Sequence, residues 1–112
     1  MARRPKPIGG HTLTARIITL ACRYKAQRLG IEEYTLAQLE RDSGLNHSVI
    51  LRAVQEQTRK GPTWETVKRL AETLEVARDS ELEERFYNAF NYASPGQHDA
   101  VEPYLEQKEA ET

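Results

Sequence analysis

Thr35-Leu36-Ala37-Gln38-Leu39-Glu40-Arg41-Asp42-Ser43-Gly44-Leu45-Asn46-His47-Ser48-Val49-Ile50 is the stretch on which the reading of this 112-residue chain turns. Thr35 and Gln38 have the spacing of a capping box, in which a hydroxyl and an amide side chain each satisfy a backbone N–H at the start of a helix. A short helix over about Leu36–Asp42 is expected, stopped at Ser43-Gly44. Gly44 enters the left-handed backbone region without the steric cost of a Cβ and so permits a sharp turn. Leu45 follows as an apolar residue, and Asn46 is a good N-cap for a second helix over about His47–Glu56. Within that helix Ile50 and either Ala53 or Val54 face inward, which leaves His47, Ser48, Leu51, Arg52 and Gln55 on the outer side.

On the N-terminal side, Leu13, Ile17, Leu20, Ala21 and Tyr24 recur at helical spacing, and Gly30 stands where a C-terminal cap belongs, so a helix over about Leu13–Leu29 is expected. Residues 1–11 carry Arg3, Arg4 and Lys6 with two prolines and two glycines, and read as a flexible basic arm. On the C-terminal side, Thr58–Pro62 reads as a loop. Thr63 caps a helix over about Trp64–Leu74 whose inner stripe is Trp64, Val67, Leu70, Ala71 and Leu74. Ser80-Glu81-Leu82-Glu83 reads as a further capping box for a helix reaching about Ala93. Ser94-Pro95-Gly96-Gln97 reads as the start of a sixth helix, which Pro103 should kink or divide before a frayed tail from Gln107. No strand-like alternation occurs. The expectation is an all-α fold of five or six helices, with the arm at 1–11, a helix-turn-helix unit at 12–78 and an added helical segment at 79–112.

The Thr35–Ile50 stretch resembles the helix-turn-helix of the Cro and lambda-repressor-like family, through Leu39 in the first helix, Gly44 in the turn, Leu45 after it and Ile50 in the second helix. Pro62-Thr63-Trp64-Glu65-Thr66-Val67-Lys68-Arg69-Leu70-Ala71-Glu72-Thr73-Leu74-Glu75-Val76 is similar to the family's next helix, with its proline, its Leu-Ala pair and its final Leu-x-Val. Glu40 departs from the pattern, since the family usually places alanine at that close contact between the two helices. The glycine usual after the recognition helix is also missing, and Glu56 stands there.

The resemblance implies a regulator of transcription that reads duplex DNA in sequence-specific fashion, a repressor acting as a homodimer on a palindromic operator, without a cofactor. An α-helix fits the major groove and its N-terminal side chains reach base edges. His47, Ser48, Leu51 and Arg52 are the candidate base-reading residues, with Arg52 suited to guanine O6 and N7 and Leu51 to a thymine methyl. Thr35, Gln38, Asn46, Gln55, Arg59 and Lys60 are candidates for the phosphate backbone, and Arg3, Arg4 and Lys6 for a neighbouring groove. Plainer readings stand beside these: His47 as a solvated side chain, Arg52 as a partner of Glu56, Leu51 as core if the helix is rotated, and the arm as a solvated tail.

Net charge is −1, but its distribution is uneven. Residues 1–60 hold 11 Lys and Arg against 5 Asp and Glu, whereas residues 61–112 hold 5 against 12. The basic half carries the proposed DNA-reading helices. The acidic half carries Phe86, Tyr87, Phe90, Tyr92 and Tyr104, read either as ordinary packing of an extra helical hairpin or as a homodimer interface. An antitoxin-like regulator that masks a partner protein through this segment is the alternative function, and an adaptor that keeps the fold without using DNA is a third.

Apolar runs such as Leu20-Ala21-Cys22 reach no more than three residues, far short of a membrane span, and the N-terminus lacks the apolar core of a secretory signal, so a cytoplasmic protein is the default expectation. Cys22 is the only cysteine, which excludes an internal disulfide and any multi-cysteine zinc site, and it reads as a core or boundary residue. His11, His47 and His98 fall in three different segments and no phosphate-binding glycine loop is present, so catalysis has no visible machinery and no enzyme is expected.

Overall fold

Helix α1, Leu13–Leu29, is the element around which the others are arranged in a computed structural model that describes residues 13–55, 64–90 and 100–111, with Val54 and Gln55 described in backbone only. Helix α2 spans Leu36–Ser43, α3 His47–Gln55, α4 Trp64–Leu74, α5 Ser80–Ala89 and α6 Val101–Ala110, with a 3-10 turn at Val76–Arg78 between α4 and α5. The fold is all-α with six helices among the described residues.

α1 buries Thr14, Ala15, Ile17, Ile18, Leu20, Ala21, Cys22 and Ala26, a wider arc than a single stripe. The reason is topological: α3, α5 and α6 all pack against it, so more than one face is taken from water. Cys22 is a core residue, and burial pushes its thiol up to about 12. Gly30, at φ 68°, ends the helix in the left-handed region as expected.

α5 and α6 share one core with the helix-turn-helix segment: Leu82, Phe86, Ala89, Phe90, Val101, Tyr104 and Leu105 join Ile17, Leu39, Ile50, Leu70 and Leu74 in a single cluster. The boundary at residue 78 therefore does not separate two cores. α6 is also fastened by charge, because Glu109 accepts from Arg16 Nε at 3.1 Å and from Nη2 at 2.6 Å, and Glu102 lies 3.8 Å from Nη1.

Four local expectations are corrected. Asp79, not Ser80, caps α5, its Oδ1 accepting from the N–H groups of Glu81 and Leu82 at 3.1 Å each. α5 ends at Ala89 rather than near Ala93, closing with a three-residue turn in which Phe90 N–H donates to the Tyr87 carbonyl while the Phe90 ring turns into the core. Pro103 does not kink α6, because it lies in the first turn, where a backbone N–H has no intrahelical acceptor to lose, and the helix continues through Gln107 to Ala110. Trp64 is 48% exposed instead of joining the inner stripe of α4, and its ring rests on Tyr87 with centroids 5.2 Å apart. The helix starts expected from Thr63 and Ser94 lie outside the described residues.

Candidate nucleic-acid interface

The capping box at α2 forms as the sequence implies. Gln38 N–H donates to Thr35 Oγ1 at 3.3 Å, and Thr35 N–H donates to Gln38 Oε1 at 2.7 Å. α2 is held from behind by Tyr34, which is buried and donates its hydroxyl to Asp42 Oδ2 at 2.5 Å. This bond places Asp42 below the usual carboxylate range, and burial, reinforced by Asp42, raises the Tyr34 phenol.

Three contacts fix the turn into α3. Gly44 adopts φ 72°, and its N–H donates to the Glu40 carbonyl at 3.0 Å. Leu45 N–H donates to Ser43 Oγ at 3.2 Å. Arg69, on α4, donates from Nη1 to the Ser43 carbonyl at 3.1 Å and so ties the turn to the next helix. Ser43 is buried, so this carbonyl bond replaces one that solvent would otherwise supply. Arg69 has no local sequence signal: it is 26 residues from its acceptor, and its role follows from how α4 lies against α2.

α3 opens with the Asn46 carbonyl accepting from Val49 and Ile50 N–H at 3.0 and 3.1 Å. Ile50 and Ala53 are fully buried and seat the helix on α1. The opposite side presents Asn46, His47, Ser48 and Arg52 to solvent. Leu51 is half-buried and packs against the core, so it is not a freely projecting contact of the kind expected for a thymine methyl. His47 has a partner that sequence reading missed: its Nδ1 lies 3.1 Å from Glu40 Oε1, across the turn between α2 and α3.

These side chains form one exposed surface built from the start of α3 and backed by the capped α2 and the Ser43–Leu45 turn. It offers an imidazole, a hydroxyl, an amide and a guanidinium, all suited to hydrogen bonding with polar edges. Among the described residues no group of three or more His, Cys, Asp and Glu is placed to hold a metal ion, and no helix is long and apolar enough to cross a membrane.

The remaining expected contacts divide cleanly. Arg3, Arg4, Lys6, Arg59, Lys60 and Tyr92 lie outside the described residues, as does the side chain of Gln55. Phe86, Phe90 and Tyr104 are buried in the chain's own core, at 0%, 5% and 5% exposure, and present no surface to a second molecule. Their packing is explained by burial of an extra helical hairpin against α1. Of the five aromatic interface candidates only Tyr87 is a partly exposed described residue, stacked on Trp64. Comparison with family models, curated proteins and solved structures finds no match to this chain.

Proposed function

We propose that this chain is a sequence-specific duplex-DNA-binding regulator of the Cro and lambda-repressor-like kind, with α3 as the helix that enters the major groove. The observation that carries the reading is the two-sidedness of α3: Ile50 and Ala53 are fully buried while His47, Ser48 and Arg52 project outward from a helix whose entry turn is pinned by Gly44 and Arg69. A helix so held offers its N-terminal side chains to base edges without needing to reorganise. Arg52 takes a guanine through O6 and N7, with His47 and Ser48 on the turn before it. The N-termini of α2 and α3, with Thr35, Gln38 and Asn46, face phosphates, and the basic arm adds salt-sensitive affinity.

The protein acts as a homodimer on a palindromic site, as a repressor in the cytoplasm. The surface that supports pairing is the Trp64–Tyr87 stack, since a tryptophan 48% exposed beside a tyrosine is the composition favoured at protein interfaces. Binding to a random-sequence duplex pool, followed by sequencing of the retained fraction, tests both parts. The expected result is one enriched motif with two inverted half-sites about ten base pairs apart, centre to centre. A pool that emerges without enrichment overturns DNA readout, and a single unrepeated half-site overturns the dimer.

A further inference from the structure

We propose that Glu40 is a positioning residue that sets what His47 reads. The proposal rests on α3 being the base-reading helix and adds the chemistry of one contact. Glu40 lies on α2 with its side chain 25% exposed, whereas His47 begins α3 with its side chain 59% exposed, and Nδ1 of the ring is 3.1 Å from Glu40 Oε1. A carboxylate accepts and cannot donate, so this approach favours, whenever the imidazole is neutral, the tautomer with its proton on Nδ1. With that proton on Nδ1, Nε2 is left as the acceptor of a ring whose side chain is 59% exposed.

Presented to a base edge, that acceptor selects a hydrogen-bond donor. In the major groove the donors are the exocyclic amino groups, N6 of adenine and N4 of cytosine, whereas guanine and thymine present acceptors at the corresponding edges. His47 therefore favours adenine or cytosine on the strand it faces, a preference opposite to that of Arg52. The carboxylate also lies near the face that meets phosphates, so Glu40 lowers affinity for every duplex alike. Specificity at one position is gained at the expense of general attraction.

The two contributions separate experimentally. Long-range proton–nitrogen correlation spectra of the ring, on free full-length protein at about pH 8.5 where imidazoles are neutral, report which nitrogen carries the proton. The expected spectrum shows His47 protonated at Nδ1 in the wild type and shifted toward Nε2 in Glu40→Ala. Duplexes from the random-pool selection, varied at the His47-facing position, then give the ratio of affinities for adenine or cytosine over guanine or thymine. Glu40→Ala is expected to raise affinity for all of them while lowering that ratio roughly threefold to tenfold, the equivalent of one hydrogen bond. Glu40→Gln removes the charge but leaves an amide that can accept or donate, and is expected to raise affinity for all duplexes as Glu40→Ala does.

A wild-type ring protonated at Nε2, a ratio unchanged in Glu40→Ala, or an affinity that Glu40→Gln does not raise overturns the proposal. A wild type that enriches no sequence overturns the DNA reading itself, and the base contact with it. The ring spectrum distinguishes that case, since it requires no DNA.

Discussion

Glu75 is the only described residue other than glycine with a positive φ, at 56°, a conformation that costs a side-chain-bearing residue on the order of 1 kcal/mol. It follows α4 and leads into the 3-10 turn, and its carboxylate is surrounded by Arg78 Nε at 3.1 Å, Arg28 Nη2 at 3.7 Å and Lys25 Nζ at 3.8 Å. Backbone and side chain pull in opposite directions here, so two substitutions separate them. Glu75→Ala loses the cations and keeps the strain, while Glu75→Gly loses both, so the glycine variant should be the more stable by about 1 kcal/mol in urea unfolding. Equal stability of the two would mean that the positive φ is not a source of strain.

The Tyr34–Asp42 bond gives a second residue-scale outcome. Because Asp42 is held below the usual carboxylate range, its contribution to stability is present above the unfolded-state value, about 4, and is lost as pH falls through the folded-state value beneath it. Tyr34→Phe removes the donor and returns Asp42 toward its ordinary value. The variant should therefore lose less stability than wild type between about pH 5 and pH 2. Identical acid limbs would show that the bond does not bias Asp42.

Among the elements, α6 shows how the acidic half contributes. Val101, Tyr104 and Leu105 are buried, and Arg16 on α1 grips Glu109 through two hydrogen bonds. Leu105→Ala should cost about 2–5 kcal/mol, measured as a shift of the unfolding midpoint, because the cavity opens inside the common core. A cost below about 0.5 kcal/mol, the range of ordinary surface substitutions, would mean that α6 is not docked. A chain cut after Arg78 loses α5 and α6 together and should unfold without cooperativity, so it is unsuitable for measuring oligomeric state.

Element boundaries were legible wherever one local device was decisive. The bounds of α1 follow from Leu13 and the Gly30 cap, and α2 from the Thr35–Gln38 box and Gly44. The cap of α5 was misplaced by one residue because Asp79 and Ser80 are adjacent cap formers, and only the backbone angles decide between them. Trp64 was placed inside because its spacing fits the inner stripe, whereas the position of α5 gives it Tyr87 as a neighbour nearer the surface.

On the scale of the whole molecule, the division into a basic and an acidic half is a matter of surface and not of folding units. The acidic segment supplies Phe86, Phe90 and Tyr104 to the core that also holds Ile50 of the helix proposed to read DNA. The outward set of His47, Ser48 and Arg52 could be read from the helical period once Asn46 was taken as the cap. Two contacts could not: Glu40 with His47 and Arg69 with Ser43 depend on how helices cross, which no local pattern encodes. Leu51 lay between core and surface in sequence, and the rotation of α3 about Ile50 turned it toward the core.

Base reading by α3 is proposed to run through Arg52. Its most direct test is the affinity for the selected duplex relative to a scrambled one, for wild type and Arg52→Ala at physiological salt. Wild type should favour the selected duplex by about a thousandfold or more. In Arg52→Ala that preference should fall by about tenfold or more, with scrambled-duplex affinity changing little. A wild-type ratio near one, or the same ratio in both proteins, would contradict base reading by this helix.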